Sequence, residues 1–338
     1  MNETAAAALR EAFPERSVER LTGAGPSWNG GNETVGVAFA DDGRAFCKVA
    51  VDGDSARIAR ELAVLRHVAA GRTLAVPEVL AADADADPAY LVTAPAPGRE
   101  LLDAWEELGD RSAGDGEDNR AALLRRVGAT LATLHAERFE AHGEIVGGDA
   151  CGGLELDRAP WPDVLLETIG RTREIGTSER LAHHYDVAID CVEANRDRLR
   201  GTPAALLHGD VAMPNLFVDD HRSVPEGDAE GTDGVVAIDW ELAHVGDPAR
   251  DLVRAEDQLC NGFDERGPER HTAALRAGYS ERAGGLPPGF EERRPIYEVV
   301  RMLGRSGFVD QWTTHLGEPT ADLVDRAEAE LAARLAAV

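Results

Sequence analysis

The order of apolar and polar residues changes character once along this chain. Up to residue 95 it reads as strands around one helix. Thr34 to Ala40 (TVGVAFA) and Arg44 to Val51 (RAFCKVAV) are apolar or β-branched runs separated by Asp-Asp-Gly, a hairpin turn signal. Ser55 to Ala70 places Ile58, Leu62, Leu65 and Ala69 at helical steps, with Asp54 or Ser55 able to cap the start. Val76 to Ala81 and Ala89 to Thr93 read as two more strands around the acidic turn Ala81 to Pro88. Thr93 to Gly98 (TAPAPG) is a Pro/Gly connector.

Beyond it the period is mostly helical. Leu123, Leu124, Val127, Leu131 and Leu134 share a face between Asn119 and Arg138. Ser178 to Arg200 and Thr320 to Val338 repeat the pattern. One strand-like block interrupts it, from Ala205 to Asp239, holding ALLHGD, NLFVDD and VVAID. Its Gly/Asp/Glu-rich part, Asp220 to Gly234, is expected to be a mobile solvated loop, and Asp110 to Asp118 is similar. No internal repeat is visible. The expectation is an α+β chain of two lobes: a small antiparallel-sheet lobe with one helix at 1–95, and a larger, mainly helical lobe at 96–338.

Charge narrows the function. Over 338 residues, 62 acidic side chains against 35 basic ones give −27. Such a surface repels phosphates, which argues against nucleic acid and anionic membranes as partners. Disorder is excluded by the periodic apolar segments. The composition resembles that of haloarchaeal proteins and suits high salt, where surface repulsion is screened. Cys47, Cys151, Cys191 and Cys260 are too widely spaced for a zinc or disulfide framework. The first residues lack the pattern of a signal peptide, and no apolar run has the ~18 residues of a membrane span. A cytoplasmic protein is expected.

The sharpest signal is His208 to Asn215, HGDVAMPN, with Asp239 following 24 residues beyond Asn215 in IDWE. Each piece follows an apolar β-like run. Taken singly, each has a plain reading: Asp210 capping a turn, Asn215 in a turn, Asp239 ending a strand. Together with Gly246 to Leu252 (GDPARDL), the block resembles the aminoglycoside phosphotransferase and choline kinase superfamily, small-molecule kinases with a protein-kinase-like fold. The resemblance implies magnesium and a nucleoside triphosphate, ATP or GTP, as phosphoryl donor to a small-molecule hydroxyl. It implies Asp210 as the base that orients the acceptor hydroxyl, and Asn215 and Asp239 as magnesium ligands. His208 and His135 would be scaffold, and Asp247 and Asp251 would brace the block.

Lys48 is the single lysine among the 35 basic residues. By the same resemblance it grips the α- and β-phosphates and pairs with a helix glutamate, for which Glu61 is placed. A compact ammonium suits a narrow phosphate site better than a planar guanidinium. In the loop Gly23 to Asn32, neither a G-x-G-x-x-G nor a Walker motif is present. Gly30, Gly31 and Asn32 can still let backbone amides approach phosphate, although a plain hairpin loop fits as well. Family position assigns the Ala94 carbonyl and the Ala96 amide to the adenine edge, Pro95 and Pro97 having no N–H.

Glu241, Asp310 and Trp312 are candidates for the acceptor pocket. The acceptor itself, the oligomeric state and the choice of ATP or GTP stay open. A protein kinase is disfavoured, because seven residues between Asp239 and Asp247 leave no activation loop. A non-catalytic nucleotide-binding module is the alternative, although no motif residue is lost. The motif block also argues against a purely acidic interaction protein.

Overall fold

The structure is a computed structural model, and it describes residues 3–23, 30–71, 74–109, 115–218, 234–263 and 265–338. Of the expected loops, 110–114 and 220–233 fall outside these residues, whereas 115–118, also expected to be loop, form the first turn of a helix. In chain order the first half forms α1 (Glu3–Ala12), β1 (Val18–Gly23), β2 (Asn32–Phe39), β3 (Arg44–Ala50), α2 (Ala56–Gly71), β4 (Val79–Asp83), β5 (Tyr90–Thr93), β6 (Arg99–Glu100), α3 (Leu101–Gly109), α4 (Asp115–Leu134), β7 (Gly143–Gly148), β8 (Leu154–Arg158) and α5 (Trp161–Ile175). The second half forms α6 (His183–Ala194), α7 (Arg196–Leu199), β9 (Ala205–Leu207), β10 (Leu216–Val218), β11 (Val235–Ala237), β12 (His244–Gly246), α8 (Pro248–Cys260), α9 (Glu269–Ala283), α10 (Phe290–Arg301), α11 (Leu303–Ser306), α12 (Val309–Leu316) and α13 (Thr320–Leu335).

Two compact units result, and neither is continuous in sequence. The first comprises 1–101, 145–157 and 214–243, and the second holds the remainder. The expected division at residue 95 therefore lacks two later segments that pack with the first unit.

In the first unit an antiparallel sheet runs β1-β2-β3-β5-β4. The turn between β2 and β3 closes as its Asp-Asp-Gly predicts: Asp42 adopts φ 64°, and the Asp41 carboxylate accepts the Gly43 N–H at 3.0 Å. Strand alternation sends Val35, Val37, Ala45, Cys47 and Val49 to one face, where Ala5, Ala8 and Leu9 of α1 pack on them. The helix α1 is an addition to the single helix read from sequence. At the start of α2, Asp54 Oδ1 accepts the Ala56 N–H at 2.9 Å. The expected strand Val76 to Ala81 begins later, at Val79, because Pro77 has no N–H to pair with a neighbour. A second sheet, β11-β10-β6, completes this unit.

In the second unit β12 pairs antiparallel with both β9 and β7. Helices make up the rest. The helix expected over Ser178 to Arg200 is split at Asn195, which leaves the helical region (φ −113°, ψ 18°). At the crossing of α4 and α9, a Cβ on Gly128 would run into the Leu275 carbonyl, and one on Gly278 into the Arg125 carbonyl. Only glycine permits this backbone approach. No described helix is long and apolar enough to cross a membrane, and the four cysteines are free.

Candidate active site

Lys48 sits in β3 between the buried Cys47 and Val49, so alternation turns it to the opposite face of the sheet. There its Nζ lies 2.6 Å from Glu61 Oε2 of α2 and 2.6 Å from Asp239 Oδ1. Glu241 Oε2 follows at 3.3 Å. The Lys48 side chain is 13% exposed. Burial opposes its charge, but Asp239, Glu61 and Glu241 together hold its pKa well above the ordinary lysine value. Burial raises the Glu61 carboxyl, with Lys48 pulling the other way.

The cluster is fixed from behind. The Trp240 N–H donates to Glu61 Oε1 at 3.3 Å, and Asn32 Nδ2 donates to Glu241 Oε2 at 2.8 Å. Arg60 of α2 donates to the backbone carbonyls of Ile145 (3.0 Å) and Glu241 (2.9 Å). Asp239 itself adopts φ 64°, a conformation non-glycine residues keep only where the surroundings impose it. Asn215 ends a one-turn 3-10 helix, Met213–Asn215. Its carbonyl accepts the Ile238 N–H at 3.0 Å, one step beyond the pair Leu216–Ala237 that ends the β10–β11 ladder. Asn215 and Asp239 thus leave the same end of that ladder.

Asp210 belongs to the second unit, just after β9. The turn that presents it bends at Gly209, with φ 81°. The fully buried Asp251 of α8 holds the turn by its backbone. Its carboxylate accepts the His208 N–H at 2.9 Å and the Gly209 N–H at 3.0 Å, with His135 Nε2 3.4 Å away. Burial opposes ionisation of Asp251, but these neighbours hold its carboxyl far below the usual range. Further along α8, Arg254 Nη2 donates to Asp210 Oδ1 at 2.7 Å and Gln258 Nε2 to the same oxygen at 2.9 Å. Burial pushes the Asp210 carboxyl up, but Arg254 and Gln258 more than offset it, so its pKa lies below the ordinary value. Asp210 is therefore a carboxylate at neutral pH, with its side chain 26% exposed.

Of the residues singled out from sequence, Lys48, Glu61 and Asp239 meet directly. Gly30 adopts φ 69°, and a side chain on Gly31 would collide with Arg57 and Asp52. Asn32 starts β2 with its side chain turned to Glu241. The remainder of that loop, with Trp28, lies outside the described residues. The Ala94 N–H donates to the Glu78 carbonyl at 2.8 Å, and Ala96 is partly buried in the connector that follows.

Of the acceptor-pocket candidates, Glu241 joins Lys48 in the first unit, and Asp310 and Trp312 belong to the second. Asp310 forms an ion pair with Arg180 at 2.7 Å, and Trp312 packs edge-on to Phe263 at 5.4 Å. Asp247 caps α8 at Ala249 (3.0 Å) and takes Arg293 and Tyr297, each at 2.6 Å, while Asp251 alone reaches the Asp210 turn. Sequence reading missed Arg254 and Gln258. The available signal was helical spacing: Asp251, Arg254 and Gln258 follow one another at three and four residues.

The sequence model of the family described as phosphotransferase enzyme family matches residues 27–296, and the chain belongs to that family. It is an enzyme, a phosphotransferase acting on hydroxyl groups of small molecules. Its fold is the two-lobed kinase-like one, as solved structures show. One is a thermostable mutant of an aminoglycoside phosphotransferase, in a ternary complex with ADP and hygromycin B. It is 17% identical, with 96% of this chain and 97% of that one covered, and the TM-score is 0.59. A macrolide 2'-phosphotransferase from Brachybacterium faecium is 18% identical over 98% of both chains, with a TM-score of 0.54. An ethanolamine kinase from Plasmodium vivax is 13% identical over 94% of this chain and 81% of that one, with a TM-score of 0.52. No curated protein matches the chain in sequence.

Proposed function

We propose that this phosphotransferase transfers the γ-phosphoryl group of ATP or GTP, with magnesium, to a hydroxyl of a small metabolite or aminoglycoside-like compound. The carrying observation is Lys48, held at 2.6 Å from both Glu61 and Asp239. A lysine fixed by a buried glutamate and aimed beside an aspartate is what a phosphate grip needs. The ADP in the aminoglycoside phosphotransferase complex supports a nucleotide donor.

The residues present fit magnesium. Glu61, Asp239 and Glu241 offer carboxylate oxygens within 4.8 Å of one another, against the Lys48 ammonium and the Arg57 guanidinium 3.9 Å from Glu241. This hard-oxygen set carries surplus negative charge. Asp239 and Asn215 are the residues that would hold the ion, which supplies charge neutralisation to the phosphates when bound. Lys48 orients the phosphates, Glu61 orients Lys48, and Gly30, Gly31 and Asn32 offer backbone amides. The connector at Ala94 and Ala96 holds the base. Asp210, ionised and fixed by Arg254 and Gln258, accepts the hydrogen bond of the acceptor hydroxyl and then its proton. The lysine-poor acidic surface is read as suited to high salt, in a reducing cytoplasm that keeps the four cysteines free.

The test is turnover of ATP and GTP in concentrated KCl with magnesium, against a panel of sugars, amino alcohols, nucleosides and aminoglycosides. Asp210→Ala is expected to lower an acceptor-dependent rate by about 10²–10⁴-fold. An unchanged rate in that variant would remove Asp210 from the reaction. Nucleotide binding without turnover against any acceptor would favour the non-catalytic module.

A further inference from the structure

Away from these residues, the second unit gathers two histidines and a glutamate that the reaction does not use. His183 and His184 open α6, and Glu328 lies on α13. His183 Nε2 is 3.0 Å from Glu328 Oε1, and His184 Nε2 is 3.2 Å from Glu328 Oε2. One ligand atom from each of the three lies within 4.8 Å of the others.

His184 Nδ1 lies 2.7 Å from Ser306 Oγ of α11, whose hydroxyl also reaches the Met302 carbonyl at 3.0 Å. His184 is wholly buried, and Nε2 has no hydrogen-bond partner there.

We propose that His183, His184 and Glu328 form a site for a divalent transition-metal ion of the zinc type, tying α6 to α13. One nitrogen of each histidine and one oxygen of Glu328 lie within 4.8 Å of one another, a span that the ligands of a four-coordinate ion with bonds of about 2.0–2.1 Å can close by small side-chain movements. Two imidazole nitrogens select zinc, cobalt or nickel over magnesium. With the ion on Nε2, Nδ1–H would donate to Ser306 Oγ, 2.7 Å away, the outer hydrogen bond that metal-bound histidines require. His183 is 54% exposed, so the ion has a route in and room for a water as fourth ligand.

The experiment is a cobalt titration of the full chain, stripped with chelator, in concentrated KCl with excess magnesium to occupy oxygen sites. One cobalt per chain with the intense visible bands of low-coordinate geometry is expected, displaced by one equivalent of zinc. Zinc should also raise the melting temperature. His183→Ala changes an exposed side chain, and Glu328→Gln keeps its shape. Each should weaken cobalt binding by at least about 10-fold while melting like wild type without metal. Weak octahedral-type bands, or equal binding in both variants, would overturn the site. So would the absence of cobalt binding to the wild type.

Discussion

Lys48 and Asp210 are both held by ion pairs, but with opposite balance. One ammonium at Lys48 faces three carboxylates, two of them, Glu61 and Glu241, buried; with the Arg57 guanidinium 3.9 Å from Glu241, the carboxylates still outnumber the cations by one. One carboxylate at Asp210 faces one guanidinium and one carboxamide. Buried negative charge in surplus is costly until a cation completes it, whereas a matched pair is already complete. The first arrangement suits arrival of further positive charge with the phosphates. The second suits a carboxylate kept ionised and aimed. A third cluster in the second unit shows the surplus with its sign reversed: Asp257 takes Arg301 (3.1 Å), Arg305 (2.9 Å) and Arg334 (3.1 Å), with Glu330 also on Arg334 at 2.7 Å, so three guanidiniums meet two carboxylates. There burial, joined by Arg254 and Arg305, pushes the Arg301 guanidinium down to about 9 despite Asp257.

The comparison is tested most severely at Lys48. Lys48→Ala should lower kcat/KM by about 10²–10³, the scale of losing one preorganised charge donor. Lys48→Arg should not restore it, because a planar fork cannot sit at 2.6 Å from both Glu61 and Asp239 as a point charge does. Full activity in the arginine variant would break the argument for a compact charge.

Asp251 comes next, because the Asp210 arrangement rests on it. Asp251→Ala strands two buried backbone amides, each costing about 1–3 kcal/mol, so urea midpoints should fall markedly. The pH sign follows from its depressed carboxyl. Its stabilisation is fully present above the ordinary aspartate value of about 3.9 and is lost as pH falls toward the folded value. Asp251→Asn should therefore flatten the acid side of the stability curve. An unchanged curve would mean the hydrogen bonds are not charge-assisted.

Most of this contrast was legible in the sequence on the Lys48 side. A solitary lysine in an apolar run and a glutamate on the next helix are local signals, and alternation and helical period place both. The contacts of Glu241 were not legible, because its partners, Lys48 and Asn32, lie 193 and 209 residues away. In a chain this acidic, one more glutamate carries no signal of its own. Asp210 was equally plain, yet its partners were not, since Arg254 and Gln258 lie 44 and 48 residues on. Their approach depends on Asp251 docking α8 against the His208 turn, which periodicity alone cannot supply. The splitting of the first unit into three chain segments was invisible for the same reason: apolar strands such as VVA do not state their neighbours.

The smaller effects separate the two partners of Asp210. Its carboxyl is depressed, so the reactive carboxylate is present at higher pH and lost as pH falls through the folded value. Arg254→Ala removes the largest favourable contribution, so the acid limb of the kcat/KM profile should move to higher pH. A drop in rate with no movement of that limb would make Arg254 a steric prop rather than a charge partner. Gln258→Ala should cost less than Arg254→Ala, about 10-fold, the lower end for losing one hydrogen bond to a charged group, since no charge is lost. Its limb should move in the same direction by a smaller amount. Gln258→Glu then sharpens the contrast: it puts a second carboxylate against Asp210, and like charges that close cannot both ionise freely. If Arg254 is what keeps Asp210 ionised, the glutamate variant should shift the acid limb further than Gln258→Ala does, at nearly constant side-chain volume. Equal shifts in the two variants would assign the effect to lost geometry, and the matched pair at Asp210 would then be a matter of aim alone.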